Sequence, residues 1–444
     1  MSNSQAHGAE IAPGLTDLLG QTRAKSSPKA VCFCLMTKRS RPWGHIDPIN
    51  QPTKRNLHPD TISVRGGLIR SGFAETSEAL FLTSGFSYDS AEQAEQAFME
   101  TEEHYLYSRF SNPTVAMFEE RLALIEGAEA ALATGTGMAA MFASLASLVE
   151  AGDRVVASPA MFSSCYVVLT EILPKWGVQV EIVAANTEEA WTKALATKVK
   201  AVFIETPSNP LMEIVDIALV AKLTHKAGGI LIVDNVMASP VLQKPLELGA
   251  DVVMYSATKH MDGQGRVLGG AVVGSKQYIN EVLKPFTRHT GPSLSPFNAW
   301  VLTKSLETMS MRVHRMADTA FEVASALEGS KGVARVVHPF LDSHPDSALA
   351  KKQMLKGGTT LAIQLDADKD KTFAFMNALE VIDISNNLGD SRSLITHPAS
   401  STHRRLGTET QLKMGITEST LRLSVGLEHA GDLITDLKLA LEHL

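Results

Sequence analysis

Four stretches of the chain carry residues able to do chemistry. Lys259 lies in YSATKHMDGQG, with Ser256 and Thr258 beside it as small hydroxyl donors and Gly263 and Gly265 after it. A lone lysine is usually solvated, but this one follows an apolar run and has small neighbours. Asp234 closes the apolar run GILIVD; an acid there can meet a ligand or simply cap the next helix. ALATGTGMAA sets a small turn ahead of a helical pattern, with Thr136, Gly137 and Met138 at the helix start. Unpaired backbone N–H groups at such a start suit an anion. An ordinary tight turn would use the same residues, and no Gly-Lys-Ser/Thr of a nucleotide P-loop follows. Arg422 sits mid-strand in TLRLSVGLE among apolar neighbours. A guanidinium can bind a carboxylate through two parallel hydrogen bonds; the bland alternative is a solvated sheet face.

The first three stretches match the needs of one cofactor. Pyridoxal phosphate (PLP) requires a lysine amine for a Schiff base, a carboxylate to keep its ring nitrogen protonated, and a cradle for its phosphate. Lys259, Asp234 and the Thr136–Met138 turn offer all three. A helix N-terminus supplies only about half an elementary charge, whereas a phosphate monoester carries close to two, so a full cation should assist. LYSRFSNPT offers Arg109, with Tyr107 two residues earlier and on the same side of an extended segment. Alone, that pair could equally be exposed surface. Arg422 is the matching anchor for an amino-acid carboxylate.

These residues need a scaffold, and the middle of the chain supplies its pattern. A helix is predicted from Pro113, with proline in its first turn and Gly127 at its end. Short apolar runs follow at 154–158, 178–183, 201–205, 229–234, 251–255 and 269–274, with helical stretches such as 216–228 between them. Strands of this kind alternating with helices predict an α/β fold: a mainly parallel sheet covered on both faces. Ligands bind such sheets beyond the C-terminal strand ends. After about residue 311 a long helical stretch, three strand-like pieces and a terminal helix read as a smaller α+β C-terminal domain. The expected division is a disordered extension over 1–57, an arm over 58–111, a large cofactor-binding domain over 112–310 and a C-terminal domain over 311–444.

Composition narrows the classes. With 44% hydrophobic and 20% charged residues the chain of 444 is globular. Its 41 Lys+Arg against 48 Asp+Glu argue against bulk nucleic-acid binding. No apolar run approaches the roughly 18 residues of a membrane span, and a cytoplasmic location is expected. Three cysteines, Cys32, Cys34 and Cys165, cannot build a disulfide framework, and no metal site is expected. AVCFCLM (30–36) is short and lies too far along the chain for a signal peptide.

YSRFSNPT, ATGTGMAA, ETPSNP, IVDN, YSATKH, HPASSTH and LRLSVGLE occur in this order. Together they resemble the Cys/Met-metabolism family of PLP-dependent enzymes over residues 58–444. The resemblance implies fold type I. It makes Lys259 the Schiff-base lysine and proton shuttle and Asp234 the partner of the ring nitrogen. Gly137, Met138, Ser256 and Thr258 would hold the phosphate, with Asn209 near the cofactor's phenolic oxygen and Arg422 on the substrate α-carboxylate. Tyr107 and Arg109 resemble the pair that members lend to a neighbouring subunit, implying a homo-oligomer, a tetramer built from dimers. Phe162 stands where a ring-stacking Tyr is common, Asn387 where Ser is common, and His260 where Tyr or Phe is common. NNLGD and AMFSSC are similar to the O-succinylhomoserine sulfhydrylase branch, which implies that the substrates are O-succinylhomoserine and sulfide and the products homocysteine and succinate. Cystathionine γ-synthase, O-acetylhomoserine sulfhydrylase and methionine γ-lyase activities are the alternatives. A non-catalytic protein on the same fold is the remote one.

Overall fold

The computed structural model describes residues 57–444 together with the backbone of a two-residue strand, His45–Ile46, paired antiparallel with Ile69–Arg70. Apart from that strand, the expectations for the N-terminal segment, Cys32 and Cys34 included, lie outside the described residues.

Seven strands form the central sheet: β1 (Ala130–Thr134), β2 (Arg154–Ala157), β3 (Gln179–Ile182), β4 (Ala201–Glu205), β5 (Ile230–Asp234), β6 (Val252–Tyr255) and β7 (Gly270–Gly274). Their order is β1-β7-β6-β5-β4-β2-β3. Only β7 runs against the rest, pairing antiparallel with both β1 and β6, so the sheet is mainly parallel as its apolar runs predict. β1 went unpredicted because AALAT has no run of β-branched residues to mark a strand.

Both faces of the sheet are covered. Along β4, Val202 and Ile204 enter one core with Phe118, Leu122 and Leu302, while Ala201 and Phe203 enter the opposite core with Met141 and Leu169. This is the two-residue period of a strand buried on both sides. The predicted helix after Asn112 is α1 (Pro113–Glu126). The Asn112 side chain accepts from Thr114 N–H, and Gly127 closes the helix with φ 79°.

The second sheet has order β8-β9-β12-β11-β10, formed by β8 (Val333–Val337), β9 (Thr360–Leu365), β10 (Asp383–Ile384), β11 (Leu394–Thr396) and β12 (Thr420–Ser424). Leu421 and Leu423 of β12 pack into its helix-covered core with Leu433 and Leu437. Alternation therefore turns Arg422 to the other face. Its cross-strand partner Ala362 packs there with Met212 and Met237 of the large part and with Leu388 from the loop between β10 and β11. One helix, α2 (Pro296–Leu327), links the two parts. Its first half, including Leu302 and Met309, packs in the large core, and its second half, including Val323 and Leu327, packs in the small one. The change of pattern near residue 311 thus falls within a continuous helix. Among the described residues no helix is long and apolar enough to cross a membrane.

A buried ion cluster fastens the segment after Pro59 to this body. Arg121 on α1 is fully buried and pairs with Glu78 at 2.5 Å; it also donates to Gly66 O and Thr303 O. Lys304 pairs with the other Glu78 oxygen at 3.1 Å. Burial raises the Glu78 pKa, but the Arg121 charge and hydrogen bond outweigh it and hold the carboxyl below its ordinary value. Removing Arg121 leaves the buried Glu78 with only the part-exposed Lys304, and breaking a buried pair typically costs about 3–5 kcal/mol. Arg121→Met is accordingly expected to lower the urea unfolding midpoint sharply. A wild-type midpoint would show that the cluster contributes nothing.

Candidate active site

The C-terminal ends of β4, β5 and β6 open on a cavity of about 390 Å³ lined by residues of both sheets. Seen from the sequence, Gly137, Met138, Phe162, Asn209, Asp234, Ser256, Thr258, Lys259 and Arg422 all converge there. Asn387 joins them by accepting from Lys259 Nζ through its Oδ1, at 2.5 Å.

The turn expected to cradle a phosphate follows β1. Thr136 caps the helix α3 (Gly137–Ala146): its Oγ1 accepts from Ala139 N–H and its carbonyl from Ala140 N–H. No intrahelical carbonyl can serve the N–H groups of Gly137 and Met138, which line the cavity. Gly137 is dictated by space, because a Cβ there would lie 2.5 Å from Ser256 Cβ. Thr258 is more committed than predicted: its Oγ1 donates to Gly269 O at 3.2 Å and accepts from Gly269 N–H at 3.1 Å.

Asp234 ends β5. One of its oxygens accepts from Val236 N–H at 3.0 Å, which is the local turn cap. Among the described residues no cation pairs with it. Burial pushes its pKa up to about 7, while the Val236 hydrogen bond pulls it down. Lys259 follows β6 in a loop clamped from behind: Arg312 on α2 donates to His260 O at 3.0 Å and to Ser305 O at 3.0 Å. His260 is buried, with Nδ1 at 3.1 Å from Val236 O and Nε2 at 2.8 Å from Thr359 Oγ1. A second backbone presses on this loop. A Cβ on Gly389, whose φ is 72°, would lie 2.8 Å from His260 N. That close approach delivers Asn387 to Lys259. Burial, joined by the nearby Arg422 charge, lowers the Lys259 pKa to about 8.

Arg422 is buried. Nη1 donates to Asn209 Oδ1 at 3.1 Å, and Nη2 to the Asn386 and Asn387 carbonyls at 2.9 and 3.0 Å. Its Nε has no partner. Burial brings its pKa down to about 10, with Glu205 acting in the opposite sense. A buried guanidinium with a spare donor and no acid within ion-pair distance fits a carboxylate ligand. An uncompensated Asp234, free helix N–H groups and a desolvated lysine fit PLP in the same cavity.

Tyr107 and Arg109 lie elsewhere. Tyr107 is exposed, and Arg109 donates to Arg288 O with its guanidinium 4.7 Å from the centre of the Phe110 ring. Neither lines this chain's cavity. Two contributors escaped prediction. Glu205 closes β4 in strand register with Asp234, and the signal was available as an acid ending an apolar run. His403, in HPASSTH, is buried near Arg422; burial and that charge bring its pKa to about 4.

Known proteins match this architecture. A family model described as Cys/Met metabolism PLP-dependent enzyme matches residues 60–442. An O-succinylhomoserine sulfhydrylase of Mycobacterium tuberculosis is 52% identical over 385 residues, covering 86% of this chain and 95% of the relative. An L-methionine gamma-lyase of Porphyromonas gingivalis is 38% identical, covering 86% and 97%. A Campylobacter jejuni crystal structure that contains pyridoxyl-lysine monophosphate superposes with a TM-score of 0.84 at 30% identity, covering 87% of this chain and all of that one.

The desolvated lysine makes a testable pH dependence. Its folded pKa lies below the ordinary value of about 10.4, so the neutral, reactive amine is present above about pH 8. When apoprotein is mixed with PLP, the rate at which the lysine-bound absorbance band grows should rise with pH and level off above about 8. Lys259→Ala should form no such band. A rate still climbing at pH 10 would mean that the capturing amine is a solvated one.

Proposed function

The chain belongs to the Cys/Met metabolism family of PLP-dependent enzymes, and on that premise we propose that it makes homocysteine and succinate from O-succinylhomoserine and sulfide, a step of methionine biosynthesis in the cytoplasm. The observation that carries this choice is Phe162. It lines the cavity, and no tyrosine of this chain does, so the site's own walls offer no phenolic acid. The 52% identity to an O-succinylhomoserine sulfhydrylase supports the same choice.

PLP, when bound, supplies an electron sink for charge developing at substrate carbons. The rest falls to residues of the chain. Gly137 and Met138 N–H groups and the Ser256 hydroxyl hold the phosphate, and Thr258 orders the loop beside them. Asp234 keeps the ring nitrogen protonated, and Phe162 walls the ring. Asn209 holds the Arg422 guanidinium, which orients the substrate α-carboxylate. Lys259, as a neutral amine, takes the proton from the substrate Cα. Its lowered pKa suits a base near neutrality. A further proton leaves Cβ, succinate leaves Cγ, sulfide adds at Cγ, and the protons return to Cβ and Cα. Asn387 holds the Lys259 amine in place.

The active unit in this proposal is a homotetramer of dimers in which Tyr107 and Arg109 reach the neighbouring subunit's cofactor and substrate. Exposed Phe73, Leu82, Phe98 and Met99 on the 58–111 segment support a covered surface there. Mixing two inactive chains, Arg109→Ala and Lys259→Ala, should restore part of the activity, since a mixed dimer keeps one complete site. No recovery after demonstrated subunit exchange would place Arg109 in its own chain's site.

Reaction choice follows from the leaving group. A thiolate is a basic leaving group and needs a proton from the ring wall, where Phe162 has none to give, whereas succinate leaves as a stable carboxylate; the Tyr107 lent by the neighbouring subunit is assigned to binding, not to this proton. General acid help is typically worth about 10²–10⁴-fold. The kcat/KM for O-succinylhomoserine plus sulfide should therefore far exceed that for cleavage of methionine or cystathionine. Phe162→Tyr should narrow the gap. Efficient thioether cleavage by the wild-type enzyme would contradict the assignment.

A further inference from the structure

Glu205 has no part in the reaction proposed above, yet it lines the same cavity and is 2% exposed. Each of its oxygens has one partner. Oε2 accepts from Phe162 N–H at 2.7 Å, and Oε1 accepts from Asn209 N–H at 2.7 Å. These donors come from separate segments. Phe162 opens the short helix Ser163–Val167 and has no side-chain cap of its own. Asn209 follows β4, and its Oδ1 receives Arg422 Nη1 at 3.1 Å.

A carboxylate in this position is expensive. Burial and the neighbouring Asp234 both push the Glu205 pKa well above its ordinary value, and a buried acid is retained only where its hydrogen bonds matter. The sheet does not need the side chain, because β4 and β5 are joined by backbone register alone. What the carboxylate does, and an apolar residue could not, is hold two N–H groups from different segments at one fixed separation.

We propose that Glu205 is a positioning residue, a two-point brace that fixes the ring wall Phe162 relative to Asn209 and, through Asn209, the carboxylate anchor Arg422. The inference rests on this cavity being the PLP and amino-acid site. It requires no particular acyl ester or thiol.

The test uses PLP-loaded enzyme and L-norvaline, an amino acid with no leaving group, so that a wrong substrate assignment leaves the measurement intact. Three quantities are read: the norvaline Kd from the change in cofactor absorbance, the visible circular dichroism of bound cofactor, and the Tm. Glu205→Gln turns an amide NH₂ toward one of the two N–H donors. Glu205→Asp keeps the charge but is one methylene too short to reach both. Both variants should weaken norvaline tenfold or more and at least halve the dichroism, with Tm changed by only a few degrees. A residue acting by charge alone would tolerate Asp, and one that merely fills space would tolerate Gln, so wild-type Kd and dichroism in either variant overturn the brace. Should the Gln variant fail to fold, the Asp variant carries the same comparison. Asn209→Ala adds a second arm. It should weaken norvaline, and its combination with Glu205→Asp should be no more than about threefold weaker than the worse single change, because linked residues are not additive. Losses that simply multiply would contradict a shared path through Asn209.

Discussion

Four ionisable groups, Asp234, Glu205 and Arg422 buried and Lys259 half-buried, surround one cavity and none is paired with another. Asp234 and Glu205 end adjacent strands; Lys259 and Arg422 approach from the loop after β6 and from the second sheet. No ion pair joins an acid to a base within this set. All four are displaced toward their neutral forms, the acids upward and the bases downward, and desolvation is the largest cause in each case. A protein interior tolerates this only if every group has hydrogen bonds or a ligand to offset its burial. The arrangement makes a site that gains most when a cationic ring, a phosphate and an amino-acid carboxylate enter it together.

The rest of the fold keeps those groups apart while holding them close. Parallel strands deliver Asp234 and Glu205 to the same edge. β12 alternates, so Leu421 and Leu423 anchor its inner face and Arg422 is presented outward. The helix α2 enters both cores, so the sheet carrying Lys259 and the sheet carrying Arg422 share one rigid element. Arg312 on that helix reaches the carbonyl of His260, tying the lysine loop to the same element.

Much of this could be read in the sequence. The strands at β4, β5 and β6 showed as apolar runs with β-branched residues, and Asp234 ending the second run and Lys259 following the third pointed to the cavity. What escaped reading has physical reasons. β1 is alanine-rich and carries no strand signal, although it positions the Thr136 turn. Glu205 resembles Asp234 in its placement, but spacing cannot tell that its partners are two backbone N–H groups from remote segments. His260 offered nothing in sequence to say that it would be buried, and its contacts with Val236 and Thr359 are tertiary. Tyr107 and Arg109 are legible as a pair, but their proposed partner lies on another copy of the chain.

The proposed chemistry requires Lys259 to be the group that holds the cofactor, within reach of Asp234 and Arg422. Borohydride reduction of the PLP-loaded enzyme, followed by digestion and mass spectrometry, tests it most directly because it reads the attachment point without reference to any substrate. A single pyridoxyl phosphate is expected on the peptide containing Lys259. A label on any other lysine, or a stoichiometric cofactor that reduction leaves unattached, would contradict it.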